Sequence, residues 1–123
     1  MKPLNPFELS SYKGKTIVIV DISNTKPQET IPALREAQQQ IALLPEKSVL
    51  ILTDVTNAIY NTESAKAMKE FAAKNSPFVK ASAVVGADGF RAVLLETIRI
   101  LTKREIKACK SRKEAMEWLV SHD

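Results

Sequence analysis

SVLILTDVTNAIYNTESAKAM, Ser48 to Met68, decides how this chain folds, because one hydrophobic periodicity gives way to another inside it. Lys47 to Thr53 contains a continuous apolar run bounded by polar residues, the pattern of a central strand covered on both faces. Further on, Ala65, Met68, Phe71 and Ala72 recur at helical spacing, so a helix follows until Lys74-Asn75-Ser76-Pro77 ends it. Between them lies a polar loop. Thr62, Glu63 and Ser64 stand where the helix begins, a place that suits both a phosphate and an ordinary cap. Two readings therefore stand: a switch, or a turn capped by Asn61 or Thr62.

Working outward from this unit, strands and helices alternate. PFELSSYKGKTIVIVDIS, Pro6 to Ser23, reads as two strands joined at Lys13-Gly14, the second being the β-branched Thr16 to Ile22. A helix from about Gln28 to Leu44 puts Ile31, Leu34, Ala37, Ile41 and Leu44 on one stripe, with Pro32 setting regular helix from near Thr30 and Pro45 helping to stop it. FVKASAVVG, Phe78 to Gly86, is the next strand, and Gly86 to Gly89 turns into a third helix. Phe90, Val93, Leu94, Ile98 and Leu101 form its inward stripe, and Leu95 falls off it. EIKACK is a short last strand, and Ser111 and Glu114 have the spacing of a capping box ahead of a final helix. This order predicts an α/β domain with a mostly parallel sheet and helices on both sides.

The totals agree with one soluble domain spanning residues 1–123. Apolar residues make up 45% of the chain and charged residues 26%, with three Gly and six Pro. The single cysteine, Cys109, cannot close an internal disulfide, and MKPLNPFELSS lacks the apolar centre of a signal peptide, so a cytoplasmic location is expected. No apolar run approaches the ~20 residues of a membrane span. Net charge is +4, and the segment Arg91 to Lys113 alone carries +6, from Arg91, Arg99, Lys103, Arg104, Lys107, Lys110, Arg112 and Lys113 against Glu96 and Glu105. Such a segment is either a solvated face or a patch for an acidic partner, a peripheral contact with anionic lipid, or nucleic acid. No aromatic residues interleave with the charges, which argues against single-stranded nucleic acid.

Several chemistries lack their residues. The only histidine, His122, is the penultimate residue, so a histidine-dependent serine triad and zinc sites of familiar spacing are excluded. There is no Walker A pattern and no dinucleotide fingerprint. Asp21 and Asp54 stand singly, which argues against a magnesium-dependent receiver domain. No catalytic residue, metal or cofactor is expected. GADGFR, Gly86 to Arg91, leaves two readings: an anion at a helix N-terminus held by Gly86, Gly89 and Arg91, or a glycine turn with Asp88 as cap.

With hairpin, helix, strand, helix, strand, helix, strand and helix in order from about Phe7 to Val120, the chain resembles the STAS domains, and more narrowly the SpoIIAA-like (STAS/SEC14-like) small proteins. SVLILTDVTNAIYNTESAKAM is similar to the STAS pattern of apolar strand, Asp, short loop, aromatic, then Asp-Ser-Ser-Gly opening a helix. Without a gap, Asp54 falls on the strand-end aspartate, Tyr60 on the aromatic, and Thr62, Glu63, Ser64 and Ala65 on the last four positions. Thr62 replaces the aspartate and Ala65 the glycine. The resemblance implies a SpoIIAA-like (STAS) fold and a non-enzymatic regulatory module. Its partner is a protein such as a regulatory kinase or anti-sigma-type protein, met through a loop containing Asp54, Thr56, Asn57, Tyr60, Thr62 and Glu63. Ser64 takes the phosphoacceptor position. The SEC14-like side of the resemblance implies a carrier or sensor of a small apolar or anionic ligand, and Leu95 near Arg91 and Arg99 is expected as an exposed apolar spot or homodimer contact.

Overall fold

The computed structural model describes residues 5–123, so the first four residues of the expected domain lie outside the described part. In chain order the elements are β1 (Phe7–Tyr12), β2 (Lys15–Asp21), α1 (Pro27–Ile41), β3 (Val49–Asp54), α2 (Thr62–Asn75), β4 (Val79–Val85), α3 (Phe90–Thr102), β5 (Ile106–Cys109) and α4 (Arg112–Ser121). All five strands form one sheet in the order β1-β2-β3-β4-β5. β1 pairs antiparallel with β2, and the other pairings are parallel.

That strand order dictates where the helices lie. Each step from β2 to β5 moves one place in the same direction, and right-handed crossovers then put every connecting helix on the same face. α1, α2 and α3 accordingly cover Val18, Val20, Val49, Ile51, Val84 and Ile106. The opposite face is left to α4, which buries Ala115 and Leu119 against Ile17, Ile19, Leu50, Leu52, Ala81 and Ala83. β3 is buried at every position, as its unbroken apolar run requires.

Two sequence expectations shift. α1 is regular from Pro27 rather than from near Thr30 and ends at Ile41 rather than Leu44: Pro27 holds the first helical position, where no N–H is needed, and the Glu29 carboxylate accepts the Lys26 N–H at 2.9 Å. The inward face of α3 is turned from the expected one. Leu95 is 6% exposed and lies in the core beside Leu94 and Ile98, whereas Phe90, Val93 and Leu101 are 58, 63 and 61% exposed. The apolar arc of this helix is wider than the surface available to cover it. α3 has the sheet beneath it and α2 on one side only, so the half facing Met68 and Phe71 is buried and the outer half is not. Leu95 is therefore a core residue, not an exposed apolar spot.

Candidate functional site

The loops at the C-terminal ends of the parallel strands gather most of the singled-out residues, the side of an open α/β sheet where ligands and partners are usually met. Two of these loops begin alike: Asp21-Ile22-Ser23-Asn24 after β2 and Asp54-Val55-Thr56-Asn57 after β3. Asp21 and Asp54 are paired across the sheet. Asp21 Oδ1 accepts from the Ser23 N–H at 3.0 Å and its hydroxyl at 2.6 Å. Asp54 Oδ1 repeats this with the Thr56 N–H at 3.0 Å and hydroxyl at 2.7 Å. Asn24 and Asn57 then both take positive φ, 58° and 57°, a conformation that Asn tolerates better than most residues.

Arg112 closes this pair. Its Nε donates to Asp54 Oδ2 at 2.9 Å and its Nη2 lies 3.3 Å from Asp21 Oδ2. Burial by itself lowers the pKa of this guanidinium, but the bond to Asp54 and the charges of both aspartates outweigh it and the pKa is raised. The two aspartates that stand singly in the sequence are thus neighbours in space. Their charge is met by an arginine. Among the described residues no group of three His, Cys, Asp or Glu side chains is placed to hold a metal ion.

The Asp54 to Ser64 loop is pinned along its length. The Ala58 N–H bonds Val55 O at 3.0 Å, the Ile59 N–H bonds Thr25 O at 2.9 Å, and Asn57 Nδ2 reaches Asn24 Oδ1 at 3.3 Å. Of the expected contact residues, Asn57, Thr62 and Glu63 are exposed, Thr56 is half-buried, and Asp54 and Tyr60 serve the loop from within. The Tyr60 ring packs on the core beside Val55, Met68 and Leu94, with its hydroxyl buried and unpartnered. Burial pushes that phenol well above its usual pKa, against the lowering pull of Arg91. Ile59, between exposed Asn57 and inward Tyr60, is 60% exposed.

Ser64 forms a capping box with Asn61. Its N–H donates to Asn61 Oδ1 at 2.8 Å and its Oγ accepts the Asn61 N–H at 2.9 Å. Ser64 is 0% exposed, so phosphate transfer to it requires the first turn of α2 to open.

In the Gly86 to Arg91 turn, Gly86 has φ of 86°, and a Cβ there would lie 2.6 Å from Thr56 Cα, so the close approach of the two loops requires glycine. Gly89, not Asp88, is the N-cap of α3, with no side chain bonding the helix end. Arg91 is folded back over the turn. Its Nε donates to Gly86 O at 2.9 Å and its Nη1 to Ala58 O at 3.3 Å, joining this turn to the β3–α2 loop.

The basic segment divides by residue type. Arg99 bonds Ile106 O through Nε at 3.0 Å and Nη2 at 2.6 Å, and Arg104 bonds Ser82 and Ala72, so all four arginines tie parts of the fold together. Lys103, Lys107, Lys110 and Lys113 are exposed. Planar guanidinium forks suit carbonyls and carboxylates, whereas lysines remain hydrated. Arg112 was readable only as one charge among eight. The signal that finds its site is the repeat of Asp-apolar-hydroxyl-Asn after two successive strands.

No family model matches the chain, and no curated protein matches it. Among solved structures the chain is similar to an uncharacterized protein from the DUF3478 family with a SpoIIAA-like fold from Shewanella loihica PV-4. The TM-score is 0.71 at 13% identity, over 92% of this chain and 91% of that one. The chain has a SpoIIAA-like fold, as the order of its elements predicts.

Proposed function

We propose that this protein is a non-enzymatic interaction module that docks a protein partner at the β3–α2 loop and the adjoining start of α3. The observation that carries this reading is Ile59, a large apolar side chain 60% exposed on a loop whose backbone is bonded to the β2–α1 loop and to Arg91. A loop backbone held this way is ordered before binding, so little backbone freedom is lost on contact. The bond from Arg91 to Ala58 brings the loop beside Phe90, whose ring is also exposed. Asn57, Thr62 and Glu63 supply a polar rim, the usual surround of an apolar contact. Asp54 and Tyr60 act by holding the loop. Phosphorylation of Ser64 would be a further control, acting through an opened first turn of α2.

The test is capture of partners from lysate of the source organism by immobilised protein, compared with Ile59→Asp and Phe90→Asp. A captured protein that both variants lose, while their circular dichroism and melting stay unchanged, supports the reading. Capture unaffected by both substitutions overturns it. Phosphosite mapping after incubation with the same lysate and ATP addresses the separate Ser64 step, for which phosphate on other residues, or none, is the negative result.

A further inference from the structure

A second site lies away from the loops, in the seam between α2, α3 and the sheet. A cavity of ≈ 40 Å³ is lined by Met68, Phe71, Leu95 and Ile98, and by the polar residues Asn75, Ser82 and Arg104. Asn75 is 1% exposed, and neither its Nδ2 nor its Oδ1 has a hydrogen-bond partner. Either orientation of that amide offers an NH2 group with two donors and an oxygen acceptor. Arg104 donates from Nη1 to Ser82 Oγ at 2.7 Å and from Nη2 to Ala72 O at 2.9 Å, but its buried Nε has no partner. No carboxylate pairs with Arg104 among the described residues, whereas Arg99 pairs with Glu96 and Arg112 with both Asp21 and Asp54. Burial lowers the Arg104 pKa with no acid opposing it. Buried polar atoms of native proteins are nearly always satisfied, by protein or by water, and three open ones on one cavity mark a place for a small polar molecule.

We propose that this cavity binds a short 2-hydroxycarboxylate, of the size of glycolate. The free N–H groups of Arg104 Nε and Asn75 Nδ2 donate to its carboxylate, and Asn75 Oδ1 accepts the neighbouring hydroxyl. The carboxylate supplies the negative charge that Arg104 lacks, and the carbon skeleton lies against Leu95 and Ile98. The volume holds about three water-sized groups, which suits a two-carbon acid whose bonded atoms sit closer together than separate waters. Arg104 is half-buried, so the same side chain that lines the cavity also reaches solvent. The site is independent of the docking reading, because none of its residues belongs to the loop face.

The experiment is an NMR titration of the full-length ¹⁵N-labelled protein with sodium glycolate, sodium acetate and sodium chloride at equal ionic strength. The Arg104 Nε–H and Asn75 side-chain signals are expected to shift and saturate with glycolate. Acetate, which lacks the hydroxyl, should bind at least ten-fold more weakly, and chloride should leave the signals in place. Asn75→Leu should fold and weaken glycolate at least ten-fold. A response to glycolate no greater than to chloride means a hydrated cavity only and overturns the proposal. Equal affinity for acetate and glycolate overturns the hydroxyl assignment, and undiminished binding by Asn75→Leu places the ligand elsewhere.

Discussion

The ends of β2 and β3 and the seam between α2 and α3 use similar polar groups, an arginine with small hydroxyl or amide side chains, and treat them in opposite ways. At the strand ends Asp21, Ser23, Asp54, Thr56 and Arg112 bond one another. In the seam, the side-chain amide of Asn75 and the Nε of Arg104 bond nothing in the protein. A buried polar group left unpaired costs roughly 1–3 kcal/mol, so the two regions stand on opposite sides of the stability balance. The closed cluster fixes the loops. The open one leaves bonding capacity for another molecule.

Substitutions can break that contrast. The largest effect is expected at Gly86→Ala, where positive φ and the contact with the Thr56 backbone combine to cost about 3 kcal/mol in denaturant unfolding. Asp54→Ala removes the acceptor of three bonds but leaves Arg112 its contact with Asp21, so about 2 kcal/mol should be lost. Ser64→Ala opens the capping box and should cost about 1 kcal/mol. Asn75→Leu runs the other way. Replacing an unpartnered buried amide by an apolar side chain should raise stability by about 1 kcal/mol, and a loss of that size would show that the amide is satisfied in solution. Ile59→Asp should move stability by less than about 0.5 kcal/mol, since its side chain is exposed.

The sequence made the order of elements legible because period-two and helical patterns alternate cleanly and the Val49–Asp54 run is apolar throughout. It did not fix the burial of α3. Phe90, Val93, Leu94, Leu95, Ile98 and Leu101 form an arc wider than one buried face, and only the position of α2 decides which half is covered. The strand-end cluster was half legible. Two Asp-apolar-hydroxyl-Asn tetrads are visible by inspection, but their arginine lies far along the chain, 58 residues from Asp54, and spacing carries no information at that range. In the quoted loop, pattern placed Ser64 at the helix start. It could not tell that the hydroxyl turns inward to Asn61.

The account rests most heavily on the β3–α2 loop being ordered before any partner arrives, and native-state hydrogen exchange at the Ile59 amide tests this most directly. That N–H donates to Thr25 O at 2.9 Å although the side chain is exposed. It should exchange at least a hundred-fold more slowly than a free peptide, alongside the Asn24 amide bonded to Thr56 O. Exchange of Ile59 at the free-peptide rate would mean a mobile loop and would contradict the preformed docking surface.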